Sequence, residues 1–136
     1  MMRYLSWTDF KDAVHKIGVF AIEQEATAVT GIPRGGLVVA VALSHEVGLP
    51  LALPVPGAAL GASWLVVDDI ADSGRTLMHY RNHKLKACWF KRWSCRLHVW
   101  AAETEMSDDW LVFPWENKKA AEADHAAYKA SHATAQ

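Results

Sequence analysis

Cysteine and long apolar runs are both scarce in this sequence. Its two cysteines, Cys88 and Cys95, form neither a CxxC pair nor a disulfide-rich framework, which favours a reducing compartment, the cytoplasm. No apolar run approaches the roughly 20 residues that span a bilayer, and the N-terminal segment lacks an apolar signal core. We therefore expect neither a disulfide-stapled secreted scaffold nor a membrane protein. The length of 136 residues, 51% of them hydrophobic, predicts one ordinary globular domain.

Acidic residues are absent from a long central stretch. Residues 73–102 contain no Asp or Glu but hold seven of the 14 Lys and Arg residues, while seven acids follow from Glu103 onward. A basic segment of this kind indicates either an anionic ligand, nucleic acid included, or a solvated surface, and charge alone does not decide between them.

The hydrophobic pattern predicts an α/β fold with a mostly parallel twisted sheet flanked by helices and a small C-terminal hood segment. A helix is predicted over 6–26, with Ser6 as its N-cap and an apolar stripe at helical spacing (Trp7, Phe10, Val14, Ile17 and Ala21). Further helices are predicted at 37–47 and about 76–83, and strands at 28–32, 51–55, 64–70, 87–91 and 97–101. Residues 1–118 are predicted to be one domain, and 119–136 an Ala-rich tail, helical or disordered, with a frayed end favoured.

Three carboxylates cluster after the clearest strand, in the stretch "WLVVDDIADSGRTL". Asp68 and Asp69 end the apolar run, and Asp72 follows in a loop of small residues. Ligands of open α/β sheets bind beyond the carboxyl ends of the strands, so these side chains are expected at a ligand site. Crowded carboxylates repel one another, and a sugar diol or a hydrated Mg²⁺ ion would relieve that repulsion.

The loop after these aspartates has the composition of a phosphate site. Its small residues let backbone N–H groups converge, Ser73 and Thr76 add hydroxyl groups, and the following helix was expected to add its positive end. The loop residues are Ala71, Asp72, Ser73, Gly74, Arg75 and Thr76. Acids for a diol beside donors for a phosphate predict a ribose 5-phosphate moiety as the ligand.

The same residues carry a family resemblance. "LVVDDIADSGRTL" resembles the ribosyl-phosphate signature of the type I phosphoribosyltransferases, and "TGIPRGGLVVA" resembles their pyrophosphate loop, with Arg34, Gly35 and Gly36 in the corresponding places. The resemblance implies an enzyme that uses phosphoribosyl pyrophosphate. It also implies Mg²⁺ held by Asp68 and Asp69 through water, a homodimer, and Asp68, Asp69 and Asp72 as the catalytic acids.

A further segment, "DDWLVFPWE", resembles the xanthine/guanine/hypoxanthine (6-oxopurine) branch of that family. The resemblance implies purine salvage, with Trp110 stacking on the purine, the Leu111 backbone reading its 2-position, and Glu116 fixing the segment. Lys91 corresponds to a lysine that donates to the 6-oxo group, although Arg92 follows it where the family often has proline. Neither a membrane nor a nucleic-acid partner is expected for such an enzyme.

The sequence departs from the family in one interval and leaves two alternatives open. Type I enzymes usually carry a long mobile loop between the second and third strands, whereas Pro56–Ser63 is short and uncharged here. A shortened lid would also suit a nucleotide-binding regulatory protein of the same fold with little or no catalysis. A metal hydrolase that combines the aspartates with His79 and His83 is the weaker alternative.

Overall fold

The computed structural model describes residues 1–53 and 59–133, which form two compact units. Of the described residues, those within 11–107 form one unit, and residues 1–10 with 108–133 form the other. The helices and strands, in chain order, are β1 (Met2–Tyr4), α1 (Trp7–Glu23), β2 (Ala28–Gly31), α2 (Gly35–Val47), β3 (Trp64–Ala71), β4 (Lys86–Arg92), β5 (Trp100–Glu105), β6 (Trp110–Val112) and α3 (Lys118–Ala133). Within the described ranges no helix combines the length and the apolar character that crossing a membrane requires.

The larger unit is built on a parallel sheet with the strand order β2-β3-β4-β5. Strands β2, β3 and β4 are buried along most of their length, as in a parallel sheet that is covered on both faces, whereas β5 is only partly buried. Helix α2 packs against β2 and β3 through its buried residues Val39 and Leu43. A second cluster of buried residues joins Val66 and Cys88 of the sheet to Leu77 and Val99 of the connecting loops. The predicted fold class is therefore confirmed.

Helix α1 begins with the predicted cap. The hydroxyl of Ser6 accepts a hydrogen bond from the backbone N–H of Asp9 at 3.0 Å, and the Asp9 carboxylate accepts one from the N–H of Ser6 at 2.9 Å. This reciprocal pair is a capping box. Of the predicted stripe, Phe10, Val14, Ile17 and Ala21 are buried, but Trp7, in the first turn of the helix, is 58% exposed and contacts the Phe10 and Trp115 rings.

The smaller unit pairs β1 with β6 in parallel, two short strands that the hydrophobic pattern did not predict. Helix α3 follows, and the Asn117 side chain caps it by accepting from the N–H of Ala120 at 3.0 Å. Ala121 of α3 is buried, and the Trp110 ring stacks on His125 of the same helix. The tail is therefore helical up to Ala133, and the frayed end favoured from its sequence is wrong.

Three predicted elements differ in the structure. The segment 76–83 forms only a 3₁₀ turn, Leu77–Tyr80, because its end is held by the sheet: the His83 ring contacts the Trp64 carbonyl and Lys86 donates to the His83 carbonyl. The strand predicted at 97–101 is displaced to Trp100–Glu105. The strand predicted at 51–55 is reduced, in its described part, to one bridge between Leu51 and Val29, and residues 54 and 55 lie outside the described residues.

Candidate active site

The carboxyl groups of Asp68 and Asp69 lie together near the carboxyl end of β3. Asp68 is 8% exposed, and its Oδ1 accepts a hydrogen bond from the backbone N–H of Asp69 at 2.9 Å. Burial, reinforced by charge repulsion from Asp69, raises the pKa of Asp68 to about 8. Burial also raises the pKa of Asp69. The pair therefore retains a proton near neutral pH until hydroxyl donors or a hydrated cation make its ionised form favourable.

The loop that begins α2 packs directly against these aspartates. A Cβ atom added to Gly35 would overlap Asp69 Oδ2, and one added to Gly36 would come within 2.6 Å of the Val67 carbonyl oxygen. Only glycine permits so close an approach of backbone to carboxylate. The exposed Arg34 precedes the pair at the start of α2, after a cis peptide bond from Pro33. The structure thus brings the two sequence motifs, thirty residues apart, to one place.

The loop Ala71–Thr76 continues from β3 at the same edge of the sheet. The Ser73 hydroxyl accepts from the backbone N–H of Arg75 at 3.2 Å, which folds the loop into a tight turn. Gly74 adopts a φ of +79°, a conformation that side chains disfavour, and it packs against Cys95 and Leu97. Because a 3₁₀ turn and not an α-helix follows, the positive helix end expected beside Thr76 is absent from this described segment.

Asp72 has a cationic partner within the larger unit. Arg92 Nε lies 3.3 Å from Asp72 Oδ1, and Arg92 Nη1 donates to the Ser107 carbonyl at 3.0 Å. The Arg92 side chain is 10% exposed and that of Asp72 is 56% exposed. The guanidinium therefore approaches Asp72 from the protein side and leaves much of the carboxylate open to solvent.

Lys91 lies beside this loop. The register of the sheet aligns it with Ala71 of β3 and Thr104 of β5, so it occupies the same carboxyl edge as the aspartates. Its side chain is half-buried. An ammonium group at this edge can donate to an acceptor oxygen of a ligand bound there.

The other predicted base contacts belong to the smaller unit. Backbone bonds from Trp110 N–H to Met1 and from Leu5 N–H to Val112 tie β6 to β1, so the amide of the intervening, buried Leu111 points away from β1. The Trp110 ring lies 5.3 Å from the His125 ring at an interplanar angle of 23°, so one of its faces is already covered. Glu116 Oε1 accepts from the N–H of Phe113 at 3.1 Å and closes the turn between them.

Comparison with known proteins identifies the family of this arrangement. The sequence is 34% identical to the xanthine-guanine phosphoribosyltransferase of Cereibacter sphaeroides, over 65% of this chain and 68% of that protein. The chain belongs to the xanthine-guanine phosphoribosyltransferase family. The crystal structure of a purine phosphoribosyltransferase from Pyrococcus horikoshii matches this chain with a TM-score of 0.70 and 26% identity. The match covers 84% of this chain and 93% of the Pyrococcus horikoshii chain. The xanthine-guanine-hypoxanthine phosphoribosyltransferase of Helicobacter pylori shares the fold, with a TM-score of 0.63 at 19% identity over 92% of this chain and all of its own. No protein-family model matches the sequence.

Three features of this phosphoribosyltransferase chain bear on the expectations from sequence. The Asp72–Arg92 contact was not predicted, since the only signal was the departure from the family's proline at position 92. Part of the short lid segment Pro56–Ser63, residues 56–58, lies outside the described residues. His79 and His83 do not form the helical pair that a metal hydrolase would need, and no cluster of three or more metal-ligating side chains occurs within residues 1–53 and 59–133.

Proposed function

We propose that this chain transfers the 5-phosphoribosyl group of phosphoribosyl pyrophosphate to guanine, xanthine or hypoxanthine and releases pyrophosphate. The observation that carries the proposal is the packing of the Arg34–Gly36 loop against Asp68 and Asp69 in a member of the xanthine-guanine phosphoribosyltransferase family. In this proposal the loop binds the pyrophosphate and the two acids bind the ribose hydroxyls. The matched relatives are named for purine phosphoribosyl transfer, which agrees with this assignment.

The reaction forms the bond between a purine nitrogen and C1′ of the ribose and breaks the bond between C1′ and pyrophosphate, while the purine loses a proton. The transition state is expected to be oxocarbenium-like, so positioning and charge stabilisation dominate catalysis. We assign Ala71–Thr76 to the 5-phosphate, Arg34–Gly36 to the pyrophosphate, and the exposed face of the Asp72 carboxylate to the purine proton. Asp68 and Asp69 hold the ribose hydroxyl groups.

The residues present fit a Mg²⁺ ion bound through water. Burial and the neighbouring Asp69 raise the pKa of Asp68, and a bound cation would stabilise the ionised form of the two carboxylates. Mg²⁺ retains several of its waters and commonly binds through one or two carboxylates together with substrate phosphates. Bound there with phosphoribosyl pyrophosphate, it would neutralise charge on the leaving pyrophosphate.

For the base, we assign Lys91 to the 6-oxo group, the Leu111 backbone to the 2-position and the Trp110 ring to stacking, with Glu116 holding the turn. An ammonium donor selects an acceptor oxygen over the amino group of adenine. The Leu111 amide points away from β1 and is not used in the pairing of β1 with β6, which supports this assignment. We expect the enzyme to act in purine salvage, in the cytoplasm and as a homodimer.

A product assay with the three oxopurines, Mg²⁺ and phosphoribosyl pyrophosphate tests the proposal. Wild-type protein should form nucleotide with at least one base, and Asp72→Asn and Asp68→Asn should each lower turnover by about 100-fold or more while the protein stays folded. Protein inert with all three bases would refute the enzymatic assignment. If such an inert protein still binds GMP in calorimetry, it is a nucleotide-binding regulatory protein of the same fold.

A further inference from the structure

Arg92 is the last residue of β4, and the register of the sheet decides what it can reach. Lys91 is aligned with Ala71, the last residue of β3, so Arg92, the next residue of β4, lies beside Asp72, the first residue after β3. The guanidinium Nε then contacts Asp72 Oδ1 at 3.3 Å. The contact follows from the topology of the sheet and joins residues that are twenty positions apart in the sequence.

The guanidinium is itself held on its other side. Its Nη1 donates to the Ser107 carbonyl at 3.0 Å, and Glu105, buried on β5, is its register neighbour. Glu105 Oε1 in turn accepts from the N–H and the hydroxyl of Ser107, at 3.1 and 2.6 Å. A nearly buried arginine needs such partners, and together they fix the guanidinium plane.

We propose that Arg92 is a positioning residue that holds the Asp72 carboxylate in its reactive orientation. The inference rests on the proposed function, in which Asp72 accepts the purine proton. Asp72 stands on a loop and is more than half exposed, so without a fixed partner its side chain would occupy several rotamers. Arg92 engages one oxygen from the protein side and leaves the solvent-facing side of the carboxylate for the purine.

A double-mutant cycle tests this role with four proteins: wild type, Arg92→Met, Asp72→Ala and the double variant. We expect Arg92→Met to lower kcat by about 10- to 100-fold while KM for phosphoribosyl pyrophosphate changes less than about threefold, because misplacement of a reacting group affects the chemical step. In the Asp72→Ala background the Arg92 substitution should change kcat less than about twofold. Arg92→Lys, which keeps a cationic donor, should recover at least half of the loss on a logarithmic scale.

Equal losses of kcat in the two backgrounds would overturn the proposal, because they would show that Arg92 acts through the general fold and not through Asp72. Arg96→Met, an exposed arginine in the loop after β4, is the matched control and should leave kcat unchanged. If Arg92→Met does not fold, Arg92→Lys and its Asp72→Ala double variant complete the cycle.

The experiments distinguish a failure of the Arg92 proposal from a failure of the proposed function. Wild-type protein without turnover refutes the function, and the urea midpoints of the same four proteins then decide the contact. Midpoint shifts that are not additive support the pairing of Arg92 with Asp72. Additive shifts contradict it.

Discussion

Replacing Asp68 by asparagine should remove a pH dependence from the stability of the ligand-free protein. Asp68 has a pKa of about 8 in the folded chain, raised chiefly by burial, whereas an unfolded aspartate has a pKa of about 3.9. Between these two values the folded state holds a proton that the unfolded state has released. The free energy of unfolding of the wild type must therefore fall as the pH rises through this range.

The magnitude follows from one proton. A difference of one bound proton changes the free energy of unfolding by about 1.4 kcal/mol per pH unit. From about pH 5 to about pH 7 the wild type should lose up to about 3 kcal/mol through this group. Asparagine does not ionise, so the stability of Asp68→Asn relative to wild type should rise by up to about 3 kcal/mol over the same interval.

Urea unfolding of both proteins at about pH 5, 6 and 7, with EDTA present and ionic strength fixed, measures this difference. Titration of the seven histidines affects both proteins alike and cancels in the comparison. Asp12→Asn, at an exposed position of α1, is the control and should run parallel to wild type. A stability difference between Asp68→Asn and wild type that stays constant with pH would show that Asp68 is already ionised without ligand, and would refute the reasoning.

Three further outcomes test other parts of the structure. Gly35→Ala should lower kcat/KM by about 100-fold in steady-state assays, because the new Cβ overlaps Asp69 Oδ2. Full activity of this variant would contradict the packing of the loop against Asp69. Ser6→Ala should destabilise the protein by about 1 kcal/mol in urea through loss of the helix cap, and an unchanged midpoint would argue against the capping box. Ala121→Glu should lower the free energy of unfolding by about 2 kcal/mol or more, because it forces a charge into the buried contact of α3. Ala126→Glu, at an exposed position of α3, should not lower it, and equal effects in urea unfolding would refute the packing of α3.

The elements that were predicted correctly carry their signals locally. The Ser6 cap and apolar stripe of α1, and the continuous apolar run of β3, are contained in a few neighbouring residues, so pattern alone identifies them. The resemblance at Arg34–Gly36 likewise lies within one loop. The packing of this loop against Asp69 depends on α2 lying on the sheet, which the loop sequence alone does not show.

The errors arose where distant contacts override local propensity. Residues after Leu77 have the composition of a short helix, but His83 and Lys86 tie their carboxyl end back to the sheet and leave room for one 3₁₀ turn. The Ala-rich tail has weak amphipathic character by itself, and its stability as a helix depends on the aromatic surface of Trp110. Neither influence can be read from the segment concerned.

The three acids of the "DDIAD" stretch have different surroundings in the folded chain, and this difference argues for different functions. Burial dominates the environment of Asp68 and raises its pKa, which is unfavourable for the free protein and useful only if a ligand supplies hydroxyl groups or a hydrated cation. Asp72 instead meets a guanidinium supplied by the chain itself and stays half open to solvent. A purely structural cluster would gain stability by pairing all three acids internally. Asp68 and Asp69 accept hydrogen bonds from backbone N–H groups, and their raised pKa values agree with the proposed site for a sugar diol.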